Sequence, residues 1–292
     1  MTKIRLVSEI ATSRATSEGA GVRLRRAFGD VDPRLDPFLL LDHFGSDRPE
    51  DYLAGFPWHP HRGMETITYM VDGRVDHADS LGNRGEIGPG AVQWMTAGSG
   101  IVHQEMPRRS ARLEGFQLWS NLPADHKMMA PRYQEIDAAD LPVVTLGDGV
   151  EARVVCGEAG GAAGAAGPVT EIVTEPLYLD VSLEPGATLT HDLPATHNAF
   201  AYLYRGSGTF GPGGGQEASA TQLVIFEGGT AARAQAGDAV RAQAGDAGAR
   251  VLLVAGKPIG EPVAWGGPIV MNTDEELRQA FRDYREGNFI KT

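Results

Sequence analysis

Short apolar runs cut by glycine and proline recur along the whole chain, and this texture limits the fold more than any other feature of the sequence. With 38 glycines and 18 prolines spread over 292 residues, uninterrupted stretches rarely reach the roughly ten residues an ordinary helix needs, while strands of about five fit between the breaks. The spacing predicts strands at 66–71, 91–95, 116–119, 153–156, 177–182, 199–204, 222–226 and 250–255, the pattern of an all-β sandwich or barrel. A single helix is predicted at 274–286. Asn272 or Thr273 can cap it, Asp274, Glu275 and Glu276 suit its N-terminal dipole, and Gly287 stops it. Leu277, Ala280, Phe281 and Tyr284 fall at helical spacing and are expected to pack on the body.

Two closely spaced pairs carry chemistry. Trp58-His59-Pro60-His61 holds one, and His103-Gln104-Glu105 holds the other. In a strand, residues i and i+2 project to the same face, so His59 with His61, and His103 with Glu105, can point together. If the segments are neighbouring strands, three imidazoles and a carboxylate converge on one pocket. Neutral imidazole nitrogens with one oxygen suit a divalent transition ion, and four protein ligands leave coordination positions open in an octahedral site.

Length and charge bound the rest. The chain has room for two ordinary domains, expected at 1–135 for the metal-binding half and 136–292 for a second half that includes the helix. A formal charge of −12, from 26 basic against 38 acidic residues, disfavours direct binding to nucleic acid or anionic membrane. Cys156 is alone, so no internal disulfide forms. MTKIRLVSEI lacks the apolar core of a secretory signal and no stretch approaches a membrane span, so a cytoplasmic location is expected. The Gly/Ala-rich stretch 157–167 reads as a flexible surface insertion, and AQAGDA, at 234–239 and again at 242–247, as a local duplication able to form successive hairpin strands. The second half repeats some of the first half's turns around His191 and His197 but lacks a close His-x-His pair, so it is expected to hold no metal.

The run GFPWHPHRGMETITYMVDGRVDHADSLGNRGEIGPGAVQWMTAGSGIVHQEMP closely resembles the N-terminal signature of the pirin family, a branch of the cupins. EPVAWGGPIVMNTDEELRQAFRDYREGNF resembles its C-terminal ending. The resemblance touches both ends of the chain and implies a bicupin: two β-barrels of the jelly-roll type, one metal in the N-terminal barrel, and a C-terminal α-helix. It places iron(II) on His59, His61, His103 and Glu105, with manganese, nickel or copper as other occupants of this ligand set. It leaves Glu65, the third ligand in the general cupin pattern H-x-H-x3-E, as an outer partner of the ligating histidines.

The implied activity is that of a quercetin 2,3-dioxygenase, opening a flavonol with O2, with Glu105 as the base that takes the flavonol hydroxyl proton. The alternative is an iron- or redox-sensing protein without turnover that binds transcription regulators or metabolic enzymes, and other cupin chemistry such as sugar isomerisation stays open. A monomer is expected, since two fused barrels satisfy the pairing single cupins obtain by dimerising. Among the other residues, His43, His77, His126 and His191 read as ordinary core or surface groups. Trp58, Trp94 and Met95 read as packing or cavity lining, Arg62 as either an anion-steering group or half of an ion pair, and Cys156 as buried filler.

Overall fold

Every strand predicted from the sequence is present: 222–226 is matched end to end, 91–95 is shifted by one residue to Val92–Thr96, and the others are extended by one residue or more. The computed structural model describes residues 2–161, 164–228 and 238–291, and the chain divides into two compact units. The histidine-bearing unit comprises Arg14–Val31, Phe38–Ala138 and Ile259–Thr292; the other comprises Met1–Ser13, Asp32–Pro37 and Ala139–Pro258. The contiguous division expected from the sequence therefore differs at both ends. Val7–Thr12 is a strand that pairs antiparallel with Gln222–Phe226. The segment after residue 258, helix included, packs with the histidine-bearing unit, where Val270 N–H donates to Arg62 O at 3.0 Å.

The histidine-bearing unit is built from two main sheets and a two-stranded ribbon in which Ala264–Gly266 pairs with Ile269–Met271. Seven strands run in the order Arg132–Ile136, Val92–Thr96, Met64–Asp72, Leu113–Asn121, Phe38–Ser46, Val22–Phe28 and Arg14–Glu18. Four more run Phe56–His61, Ile101–Pro107, Val75–Asp79 and Arg84–Ile87. Pro57 and Pro60, which donate no ladder hydrogen bond, sit in Phe56–His61 at the edge of the smaller sheet, where strand prolines are tolerated. Val22, Leu24, Phe44, Met70, Val75, Ile87 and Leu113 pack into one apolar cluster.

The helix Asp274–Arg285 starts in a capping box: Thr273 Oγ1 accepts from Glu276 N, and the Glu276 carboxylate accepts from Thr273 N. Ala280 is fully buried and Leu277 partly, but Phe281 and Tyr284 are 37% and 41% exposed, against expectation. The inward position is taken by Asp283, buried because it meets Arg62.

The other unit is a nine-stranded antiparallel sheet whose long members, Asn198–Phe210 and Ala239–Gly256, pair along most of their length. Its core is filled by apolar residues such as Val150, Leu179, Leu203, Phe210 and Leu253, with His191 buried on the face that carries Leu189. The second AQAGDA copy lies inside the strand Ala239–Gly256, whereas 234–237 of the first copy fall outside the described residues. Within the Gly/Ala-rich stretch, Glu158–Ala159 pairs with Ala165–Ala166; 162–163 lie outside the described residues. Cys156 is buried, its thiol 3.2 Å from Val169 O. Among the described residues no helix is long and apolar enough to cross a membrane.

Candidate metal centre

Phe56–His61 and Ile101–Pro107 are hydrogen-bonded antiparallel neighbours, with His103 opposite His59 and Ile101 opposite His61. That register brings three imidazoles together. One nitrogen of each of His59, His61 and His103 lies within 4.8 Å of the others, and the ring centroids are 4.4–5.0 Å apart. Among the described residues this is the one cluster of three or more such donors.

Hydrogen bonding prepares the rings as ligands. His59 Nδ1 is 2.8 Å from Pro57 O and His61 Nδ1 is 3.2 Å from Pro268 O. A carbonyl only accepts, so each Nδ1 carries the proton and each Nε2 keeps its lone pair. His103 is 1% exposed, and neither of its ring nitrogens has a hydrogen-bond partner. An unsatisfied buried polar atom costs about 1–3 kcal/mol, a cost that a bound ion would remove. Burial holds all three imidazoles below their ordinary pKa, His61 and His103 far below it, and their mutual proximity adds to the effect at those two. Buried, neutral, and with one ring wholly unpartnered, the donor set fits a divalent transition ion.

Glu105 stands beside this cluster and outside it. The register slips between His103 and Glu105, so that Glu105 pairs with Phe56 and the opposite strand carries one extra residue, a β-bulge. Its Oε1 accepts from Thr68 Oγ1 at 2.7 Å. Burial raises its pKa, and the Thr68 bond opposes that rise. Thr68 Oγ1 is also 2.9 Å from the Gln117 side-chain amide.

Glu65 departs from its expected place. Its Oε1 accepts from Thr96 Oγ1 at 2.7 Å, and burial pushes its pKa up to about 7 against the hydrogen bonds from Thr96 and Trp94. The histidines are oriented by the carbonyls of Pro57 and Pro268 instead.

A cavity of about 680 Å³ opens beside the cluster, within the range of small-molecule sites. His59, His61 and Glu105 line it with Trp119, Trp265, Phe44 and Phe56. Trp58, Trp94 and Met95 take no part: Trp58 is 50% exposed, while Trp94 and Met95 are buried. Arg62 does not face the cavity either. It donates from Nη1 to Asp283 Oδ2, from Nη2 to Phe289 O and from Nε to Ser99 O, all within 2.8 Å, and lies over the Phe289 ring.

His77, read from the sequence as an ordinary core or surface group, stands next to the cluster. It is buried behind His103, ring centroids 5.4 Å apart, and stacks on Tyr133 at 5.0 Å; both its nitrogens lack a partner, and burial lowers its pKa to about 4. Only its period-2 alternation in Val75–Asp79 marked it as inward-facing. His43 meets Glu114 at 3.3 Å and His126 meets Asp125 at 2.6 Å. In the other unit, His197 Nε2 is 3.0 Å from Glu175 O.

Two antiparallel β units, one carrying a buried histidine cluster at a cavity and the other an apolar core, define a bicupin. The chain belongs to the pirin family: residues 21–120 match the pirin family itself and residues 178–290 the pirin C-terminal cupin domain. A Pseudomonas aeruginosa protein that carries the provisional name quercetin 2,3-dioxygenase is 45% identical, the match covering 98% of this chain and 99% of that one. Human pirin is 41% identical over 94% of this chain and 90% of its own. The crystal structure of a quercetin 2,3-dioxygenase from Acinetobacter baumannii superimposes with a TM-score of 0.87 at 30% identity, covering 98% of each chain.

Proposed function

We propose that this pirin is a mononuclear metal-dependent dioxygenase that opens the ring of a flavonol of the quercetin type with O2. The observation that carries the proposal is His103, buried with both ring nitrogens unpartnered, clustered with His59 and His61, which line the 680 Å³ cavity. His59, His61 and His103 would hold the metal, with Glu105 as the fourth ligand; iron(II) is the expected ion. When bound, the metal activates a chelating enolate toward O2.

The residues of this chain supply the rest. Glu105 lines the cavity and is oriented by Thr68. It takes the proton of the enolic hydroxyl, and the burial that raises its pKa strengthens it as a base. Trp119, Trp265, Phe44 and Phe56 present apolar faces to a planar aromatic substrate and exclude water from the reacting carbons.

The test is quercetin consumption under air by protein reconstituted in parallel with iron(II), manganese(II), nickel(II) and copper(II), beside His59→Ala. Metal-dependent loss of flavonol absorbance with release of carbon monoxide, absent from the variant, is the expected result. Tight metal binding without turnover in any form would refute the enzyme and leave a sensing or partner-binding pirin.

A further inference from the structure

The floor of the cavity carries one polar line between two apolar ones. Thr68, Gln117, Asp42 and Arg26 are successive cross-strand partners on four adjacent strands, so their side chains share a face. Gln117, Asp42 and Arg26 line the cavity, and Thr68 links the row to Glu105. The neighbouring row on one side contains Trp119 and Leu40, and on the other Gly115, Phe44 and Leu24. A polar row walled by apolar side chains is costly to build from burial alone, and from Thr68, beside the Glu105 carboxylate, it crosses to Arg26, one strand short of the edge of the sheet.

The far end is acceptor-rich. Asp42, 5% exposed, receives Arg26 Nε and Nη2 on its two oxygens at 2.8 Å each, and Glu18 takes Arg26 Nη2 at 2.9 Å. One cation stands between two carboxylates, and each Asp42 oxygen has a second lone pair. Three inter-strand steps separate Thr68 from Arg26, about 14 Å at the usual strand spacing. That is the length of a planar phenol of two to three rings.

We propose that the Gln117–Asp42–Arg26–Glu18 row is a specificity element that selects planar aromatics bearing free hydroxyl groups at the end remote from the histidines, and rejects those carrying anionic or alkylated groups there. Hydroxyl protons satisfy the acceptors of Asp42 and Glu18, whereas a methyl ether leaves them unpaired and a sulfate meets two carboxylates. This rests on the flavonol reading for which end of the substrate faces the metal.

The experiment measures equilibrium binding by quenching of tryptophan fluorescence, which needs no turnover. The probes are quercetin, its 3′,4′-dimethyl ether and its 3′-sulfate, on metal-loaded protein. Quercetin is expected to bind about tenfold tighter than either derivative. In Asp42→Asn, which breaks the bidentate pair, and in Gln117→Leu, the preference over the ether falls to about twofold, with metal content unchanged. In Glu18→Gln, a half-exposed change that keeps an acceptor oxygen and removes the charge, the sulfate gains severalfold relative to quercetin.

Equal binding of the three probes by the native protein would overturn the proposal. So would an unchanged preference in properly folded Asp42→Asn and Gln117→Leu. A retained tenfold preference in a protein that turns over none of the probes would sustain the row while refuting the dioxygenase.

Discussion

Thr68 donates its hydroxyl to Glu105 Oε1 at 2.7 Å, from a strand of the larger sheet to one of the smaller. The bond orients Glu105, the carboxylate that stands beside the histidine cluster and lines the cavity. Thr68→Val keeps the shape and removes the donor. Turnover is expected to fall about 10–100-fold, the usual cost of losing an outer hydrogen bond at a metal site, while Thr68→Ser retains most of it. Steady-state kinetics on protein of equal metal content decides this, and an unaltered rate in Thr68→Val would remove Thr68 from the machinery.

Glu105 itself separates binding from chemistry. Glu105→Gln preserves the size of the side chain and a weak oxygen donor, but an amide cannot take a proton at neutral pH. Metal is expected to remain near stoichiometric with turnover lost by at least about 100-fold, within the span that a general base contributes. Metal analysis alongside the rate measurement tests both halves, and full activity in the variant would exclude Glu105 as the base.

Glu65 makes a pH-dependent contribution to stability. Its folded pKa, about 7, lies above the ordinary value of 4.5, so the folded state holds a proton that the unfolded chain releases. The favourable contribution is present in full below pH 4.5 and is lost as pH rises through 7, amounting to roughly 3 kcal/mol across the window. Glu65→Gln should therefore be more stable than the native protein at pH 8 and lose that part of the pH slope. Urea unfolding of the metal-free protein at pH 5 and pH 8 measures the difference, and equal slopes would show that Glu65 is ionised in the fold.

The histidines were legible because their signal is local. His59 with His61, and His103 with Glu105, each need only the two-residue period of a strand, and the strands that carry them are short and punctuated. The row from Thr68 to Arg26 was not legible, since Thr68, Gln117, Asp42 and Arg26 are neighbours only through sheet register, which no local pattern encodes. The bulge at Pro57 and Trp58, opposite Gln104, set Glu105 apart from the cluster for the same reason. Asp42, a lone acid in the apolar run Phe38-Leu39-Leu40-Leu41, was the one visible hint. Phe281 and Tyr284 misled because helical spacing describes a face but not what lies opposite it; the buried guanidinium of Arg62 turned the helix toward Asp283.

That pair predicts how the C-terminal helix is held. Arg62 is 2% exposed and its salt bridge to Asp283 is 2.8 Å. Burial alone would raise the Asp283 pKa, but hydrogen bonds from Arg62, Gln279 and Lys291 hold it well below the usual carboxylate range. Its stabilising effect is thus present above about pH 4 and is lost as pH falls further. Arg62→Met leaves the Asp283 carboxylate to Gln279 and Lys291 and removes the donor to Ser99 O and Phe289 O; it should cost about 3 kcal/mol, while Arg62→Met with Asp283→Leu recovers much of it. Chemical denaturation of the single and double variants checks this, and additive losses would contradict a coupled pair.

Gly63 ties the same C-terminal segment to the metal centre. Its φ is +76°, and a Cβ there would lie 2.0 Å from Val270 O. No side chain fits unless the strand Ile269–Met271 moves away. Pro268, whose carbonyl orients His61, immediately precedes that strand. Gly63→Ala should therefore destabilise the protein by more than about 2 kcal/mol, through both backbone strain and the clash, and weaken metal binding about tenfold through His61. Gly287→Ala is the control: its φ is also +76°, but a Cβ there meets nothing within 4 Å, so it carries the strain without the displacement and should leave metal affinity unchanged. Nickel(II) titration calorimetry on the two variants distinguishes them. Equal affinities would mean that the backbone of Pro268 holds His61 independently of the strand that follows it.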